Sequence, residues 1–341
     1  MKALVVRGPG AVQLEDYPDP LLVPGSVLVR PLVVGLCGTD LDIIDARIDP
    51  AYVRLPLILG HEWSGVVLDV APGAASLTGR EPPVVGSRVV VEGIVACRYC
   101  QECIAGDTNR CTTYDEFGFI RDGAAAELLV APAELVHVLA PRVSADSGAL
   151  VEPAAVVYRA LARARSQPGA RVLVVGDGTV GLLAVTIARL WSPASITLLG
   201  ARPEQQPLAE LAGADRFVTS VADAGTGYDL VVEAAGARAA AAAALSAPAR
   251  GATVVLLGLA GTGVNVELGI DDLVNGDVTV IGSFSYTASA WAKVVELLNS
   301  GRLDLGFLVT HRFALGDWAN ALHALRTPTG TRGKVQLQIT P

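Results

Sequence analysis

"ARVLVVGDGTVGLLAVTIARL", residues 170–190, joins an apolar run to a glycine-rich turn and then to a helical stretch. The run 172–175 is apolar and reads as a β-strand. The glycines stand as Gly176-x-Gly178-x-x-Gly181. A bare triplet of this kind is a weak signal. One that follows a strand and opens an amphipathic helix is the dinucleotide-binding fingerprint, in which the backbone approaches a pyrophosphate lying on the helix N-terminus. Gly176, Gly178, Thr179, Val180 and Gly181 are therefore the expected cradle.

Working outward, β-like runs recur at 195–199, 216–219, 229–233, 253–257 and 278–281, with helical spacers between most of them. One spacer is the alanine-rich stretch 237–247, a strong helix former. Alternation of this kind predicts an α/β unit with a six-stranded, doubly wound parallel sheet. The strand 195–199 also bears on the choice of coenzyme. NAD-binding folds place an acid about 20 residues beyond the glycines to hold the ribose 2′-hydroxyl. Here Gly200 stands at that place and Arg202 follows. Gly200 is expected to leave room for a 2′-phosphate and Arg202 to contact it with a permanently charged fork. NADP is expected over NAD.

The chain of 341 residues carries 51% apolar and 18% charged residues and a formal net charge of −8. That length allows two domains, and the acidic balance argues against nucleic-acid or anionic-membrane partners. The start "MKALVVRGPG" is too soon interrupted by Arg7, Gly8 and Pro9 to serve as a signal peptide. No apolar run approaches the ~20 residues of a membrane span. A cytoplasmic protein is expected, and in that compartment disulfides are rare.

Four of the five cysteines, Cys97, Cys100, Cys103 and Cys111, fall within "CRYCQECIAGDTNRC". Thiols at such spacing in a reducing compartment read as metal ligands. The lobe, about 93–112, reads as exposed and neither strand nor helix. Four thiolates suit a closed tetrahedral zinc site, while an iron–sulfur cluster takes the same donors. The fifth, Cys37, lies in "VGLCGTDLD", and "LPLILGHEWSG" brings His61 and Glu62. Cysteine, histidine and glutamate are each able to bind a catalytic zinc.

"GLCGTD", "LGHEWSG", the four-cysteine lobe and "VEPAAVVYRA" follow one another in this order. Together they resemble the zinc-dependent medium-chain dehydrogenases over nearly the whole chain. The resemblance implies that Cys37 and His61 bind a catalytic zinc and that Glu152 of the VEP motif completes the set, directly or through a water. Glu62 is then a neighbouring carboxylate able to exchange with that water, Thr39 a proton relay, and Asp40 an orienter of the loop. Two zinc ions per chain follow, one catalytic and one structural. The implied chemistry is hydride transfer between a secondary alcohol and the nicotinamide.

The resemblance also implies the domain plan: a β-rich GroES-like catalytic domain from 1–150 and 285–341, and a Rossmann domain from 151–284, with the active site in the cleft between them. A homo-oligomer, dimer or tetramer, is expected on the same ground. The glutamate of VEP points to the polyol and sugar branch. Asp42, and Glu116, Arg121, Asp122 and Glu127 in "EFGFIRDGAAAE", are candidate partners for substrate hydroxyls. A sugar, polyol or cyclitol is expected. The alternatives are a simple-alcohol dehydrogenase, or a catalytically silent NADPH-binding protein. A zinc-free reductase on the same fold would not need Cys37, His61 and Glu152. His137, His311 and His323 are read as structural.

Overall fold

The computed structural model describes residues 1–77, 80 and 82–339. It divides into two compact units. The first comprises Met1–Glu152, Thr287–Thr329 and the segment from Lys334 onward; the second comprises Pro153–Tyr286 and Gly330–Gly333.

In the first unit, β1 (Lys2–Gly8), β2 (Ala11–Asp16) and β4 (Leu57–Ile58) form a three-stranded antiparallel sheet. A seven-stranded sheet is built around β3 (Ser26–Leu36). Its path runs β15 (Val309–Ala314), β16 (Lys334–Gln338), β3, β5 (Glu62–Val70), β6 (Arg88–Val91) and β8 (Val136–Val138), and β7 (Leu129–Pro132) also pairs with β3. The inward residues of these strands, among them Val5, Val29, Val34, Trp63, Val89 and Leu337, share one core. Two bulges in the β3–β5 ladder bend the sheet, as in the partly open barrel of a GroES-like domain.

In the second unit, β9 (Arg171–Val175), β10 (Ser195–Leu199), β11 (Arg216–Val218), β12 (Tyr228–Glu233), β13 (Pro248–Leu256) and β14 (Thr279–Gly282) form the expected six-stranded sheet. All neighbours are parallel, in the order β11-β10-β9-β12-β13-β14. This is the doubly wound Rossmann order, with its switch point between β9 and β12. The register sets Val175 opposite both Leu199 and Glu233, so the loops after β9, β10 and β12 lie together at the carboxyl edge of the sheet.

The helix after the glycines, Thr179–Ala188, differs from the amphipathic expectation: residues 181–185, 187 and 188 are all buried. It packs into the core nearly all round, which a period-based reading cannot distinguish from a half-exposed helix. The alanine-rich helix is Arg238–Ser246, one residue shorter at each end than read. The cysteine lobe also departs from expectation, carrying a helical turn at Gln101–Ile104 and a 3-10 turn at Thr108–Arg110. Among the described residues no helix is long and apolar enough to cross a membrane.

Candidate active site

Cys37 follows β3 and caps the helix Gly38–Ile44. Its sulfur accepts the Thr39 N–H at 3.2 Å, while Asp40 Oδ2 accepts the Cys37 N–H at 2.8 Å. This reciprocal cap fixes where the thiol points. Across from it, His61 immediately precedes β5, with Nε2 at 3.2 Å from Cys37 Sγ. The other ring nitrogen, Nδ1, lies 3.6 Å from Asp40 Oδ1, and neither atom has a hydrogen-bond partner. Asp40 thus holds the loop with one oxygen and faces the imidazole with the other. A carboxylate behind a ligating histidine fixes its tautomer and raises its basicity.

Glu62 completes a set with Cys37 and His61 whose donor atoms all lie within 4.8 Å of one another. Its carboxylate is ion-paired with Lys334, and both side chains are 2% exposed. Lys334 begins β16, which pairs with β3, which pairs with β5; the lysine therefore reaches its partner across the intervening strand. Gly35 makes the room, since a Cβ there would stand 2.8 Å from Lys334 Cε and 2.5 Å from Glu62 Oε2. Sequence reading missed Lys334. The signal was a lone lysine opening the otherwise lysine- and arginine-free run "KVQLQIT".

Glu152, in the first turn of the helix Val151–Ala164, is not part of the 4.8 Å set. Burial pushes its carboxyl up to about 8, and it feels the charges of His61, Glu62, Glu116 and Lys334. Burial likewise raises Asp40, and takes Glu116 to about 7. For His61 burial acts downward, but Cys37 and Asp40 outweigh it and hold the imidazole well above its ordinary value. Four buried or half-buried acids, a thiol and an imidazole around one lysine form a donor set short of positive charge. A divalent cation fits that deficit.

Of the hydroxyl-binding candidates, only Glu116 belongs here. It is buried, accepts from the Tyr114 hydroxyl, and adjoins Phe119, whose ring packs against His61 at 5.2 Å. Arg121 is paired with Asp115, Asp122 accepts the Ile58 N–H, and Glu127 is exposed and accepts the Lys2 N–H. Asp42 forms an exposed pair with Arg47 at 2.6 Å. Four of the five candidates are thus used by the fold itself.

In the lobe, the Cys97, Cys100, Cys103 and Cys111 sulfurs also lie within 4.8 Å of one another, and none is in a disulfide. Backbone N–H groups point at the sulfurs: Cys97 N to Cys111 Sγ at 3.3 Å, Cys100 N to Cys97 Sγ at 3.3 Å. Such donors hold thiolates ready for a cation. The remaining histidines belong to neither of these sets. His137 is buried against Glu92 at 2.8 Å, His311 meets the Thr310 hydroxyl, and His323 is exposed on the helix Trp318–Arg326.

The glycine cradle in the second unit separates structural from open positions. Gly176 has φ +120°, and a Cβ on Gly181 would lie 1.8 Å from the Gly176 carbonyl oxygen, so helix and turn touch there. Gly178 is different: no heavy atom lies within 4 Å of a Cβ placed on it. This is the openness that the second glycine of a dinucleotide fingerprint needs. Val180 follows Thr179 in the first helical turn, and the Thr179 hydroxyl donates to the Gly333 carbonyl. The reading of Gly200 needs correction. A Cβ there would stand 2.7 Å from the Asp177 carboxylate and 2.7 Å from the Phe217 ring, so the glycine makes room for protein side chains. Arg202 is paired with the same Asp177 at 3.0 Å.

A Rossmann sheet and a GroES-like body in one chain define an oxidoreductase of the dehydrogenase class. Residues 23–141 match the alcohol dehydrogenase GroES-like domain, and 179–300 match the zinc-binding dehydrogenase domain. The chain is 31% identical over 344 residues to the erythritol/L-threitol dehydrogenase of Mycolicibacterium smegmatis, covering 94% of this chain and 93% of that one. It is 29% identical over 337 residues to the sorbitol dehydrogenase of Bacillus subtilis, covering 94% and 92%. A structure from Sinorhizobium meliloti, assigned as a zinc-binding dehydrogenase and bound to NADP, superposes with a TM-score of 0.91 at 26% identity, over 99% of both chains. The protein belongs to the zinc-dependent medium-chain dehydrogenase family, in its polyol dehydrogenase branch.

Proposed function

We propose that the protein is a zinc-dependent, NADP-preferring oxidoreductase that oxidises a secondary hydroxyl of a polyol, sugar or cyclitol, or reduces the matching ketone. The observation that carries this is the set of half-buried Cys37 with buried His61 and Glu62, with Glu152 and Glu116 nearby. The polyol substrates named for its relatives support the same reading. Cys37 and His61 would hold the catalytic zinc, with Glu62 and Glu152 as exchanging carboxylates. Bound there, zinc supplies Lewis acidity that lowers the pKa of an alcohol oxygen, and the nicotinamide accepts the hydride. The chain's own residues do the positioning. Asp40 fixes the imidazole, Lys334 holds Glu62, and the Thr39 hydroxyl would carry the alcohol proton away. Tyr114 and Glu116 would accept and donate hydrogen bonds to neighbouring substrate hydroxyls. A site that pairs hydroxyls in this way rejects analogues lacking them, because its buried polar groups are then left unmatched.

The test is a coenzyme-reduction screen over polyols, sugars, cyclitols and simple alcohols. Turnover of hexanol or benzyl alcohol with none of the polyhydroxylated compounds would overturn the substrate reading. No turnover at all, with coenzyme bound, would favour the silent NADPH-binding alternative.

The four-cysteine lobe would hold the second, structural zinc. Cys100→Ser should remove about one zinc per chain and lower the melting temperature, since three thiolates close a tetrahedral site poorly. Metal analysis of unchelated protein finding a single zinc, or iron with a visible charge-transfer band, would refute the two-zinc reading.

For NADP, the support is that no acid ends β10 and that Arg202 and Arg332 both stand near that end. Arg202→Ala should raise the KM for NADP by ~10- to 150-fold, the value of a charge-assisted contact worth ~1.5–3 kcal/mol. The KM for NAD should move far less. Equal wild-type KM values for both coenzymes would count against the preference.

A homodimer through β14 completes the proposal. This is the edge strand of the sheet, with Val280, Phe284, Ile270 and Val274 exposed on or beside it. A second copy pairing edge to edge would cover the unpaired backbone and these side chains symmetrically. Light scattering should give a dimer for the wild type and a monomer for Val280→Asp. A monomeric wild type would overturn it.

A further inference from the structure

Asp177 sits between the first two fingerprint glycines and is 8% exposed. Its carboxylate leaves the loop and reaches the end of β10. Oδ2 accepts the Ala201 and Arg202 N–H groups, both at 2.9 Å. Oδ1 accepts Arg202 Nη2 at 3.0 Å and Nε at 3.3 Å. A carboxylate has about four lone-pair sites. All of them are occupied here, so this acid has none left for a ribose hydroxyl.

Two consecutive backbone N–H groups with a guanidinium beside them form an anion seat. The seat has a second cationic arm. Residues 330–333 are held against the same loops by Gln205, which is fully buried. Its carboxamide donates to the Arg332 carbonyl at 2.8 Å and accepts the Arg332 N–H at 2.7 Å. The same amide nitrogen donates to the Asp177 carbonyl at 2.6 Å. Thr331 adds a bond to the Glu204 carbonyl at 2.5 Å. Arg332 is thereby fixed where burial and the neighbouring Arg202 pull its guanidinium below its ordinary value, with Asp177 opposing them. Arg202 Nη1 is buried without an acceptor.

We propose that Asp177 is an internal stand-in for the 2′-phosphate of NADP, that the phosphate displaces it from the seat, and that Arg332 acts with Arg202 as the second arm. Asp177 and Arg332 then set how strongly the enzyme separates NADP from NAD. The proposal rests on the reading of this unit as the coenzyme site. It explains why Gly200 is required although it leaves no empty room. The apparent affinity for a phosphate is reduced by the fraction of molecules in which Asp177 holds the seat. A dianion with three acceptor oxygens can use donors that a single carboxylate leaves unmatched.

The test uses full-length protein and two fragments that differ only at the seat, ADP and 2′,5′-ADP, titrated calorimetrically. Asp177→Asn keeps an acceptor for the backbone N–H groups and removes the competing charge. It should bind 2′,5′-ADP about tenfold more tightly and ADP within about twofold of the wild type. Arg332→Ala should weaken 2′,5′-ADP by about tenfold or more and leave ADP nearly unchanged. Asp177→Asn that leaves 2′,5′-ADP unchanged, or weakens both fragments equally, would overturn the stand-in role. Arg332→Ala without effect on 2′,5′-ADP would overturn the second arm. Wild-type protein that binds neither fragment would overturn the coenzyme reading itself, and the seat with it.

Discussion

Cys37→Ser should abolish turnover, by more than about 100-fold, while leaving the melting temperature close to that of the wild type. The two readouts separate because Cys37 has two tasks. Its sulfur accepts the Thr39 N–H as a helix cap, a task serine performs well. It also faces His61 Nε2, and in the proposed function it is a metal donor there, which a neutral hydroxyl performs badly. Zinc content should fall by about one per chain, with the lobe keeping its own ion. Glu152→Ala should cost at least tenfold, in line with the ~10–100-fold attached to outer partners of a metal. Full activity in either variant would return these residues to a purely structural role.

The second large effect is expected at Lys334. Lys334→Met leaves Glu62 buried beside Asp40 without its ion-pair partner. Removing one partner of a buried pair costs ~3–5 kcal/mol. In a unit of this size that lowers its melting transition by roughly 10 °C. Adding Glu62→Gln should recover much of the loss, because the uncompensated charge goes with it. The sign of that recovery distinguishes a charge effect from simple loss of packing. Lys334→Met as stable as the wild type would overturn the stabilising role of this pair.

The Rossmann sheet was legible because its strands are continuous apolar runs and its first turn carries glycines at fixed offsets. The cysteine lobe and Cys37, His61 and Glu62 were legible because their chemistry is rare. What escaped were partners chosen by tertiary contact. Lys334 lies 272 residues beyond Glu62 and meets it only because β16 and β5 both pair with β3. Gly200 looked like an opening, since a missing side chain in a sequence does not say what fills the space. Asp42, Arg121, Asp122 and Glu127 looked available because charges near a site read alike whether or not a neighbour has already claimed them. The all-round burial of the helix Thr179–Ala188 was invisible for a related reason: periodicity reports which residues are apolar, not how many faces are covered.

The last strand of the seven-stranded sheet has a bearing on how the chain is made. Between β8 and β15 the polypeptide leaves the first unit for most of its middle third, and only then returns to supply β15 and β16. Synthesis delivers ~5–20 residues per second, and domains fold as units while it proceeds. Most of the Rossmann unit is contiguous and can assemble as it emerges. The catalytic unit cannot close its sheet until residues 309–338 have been translated, so residues 33–36 of β3 wait with one edge unpaired and Glu62 waits without its cation. For that interval the thiol, the imidazole and the acids are present but unframed. On the proposed function, metal capture at Cys37 and His61 would be a late event in the life of each new chain, and a ribosome stalled before β16 would carry a folded Rossmann unit and an unfinished catalytic one.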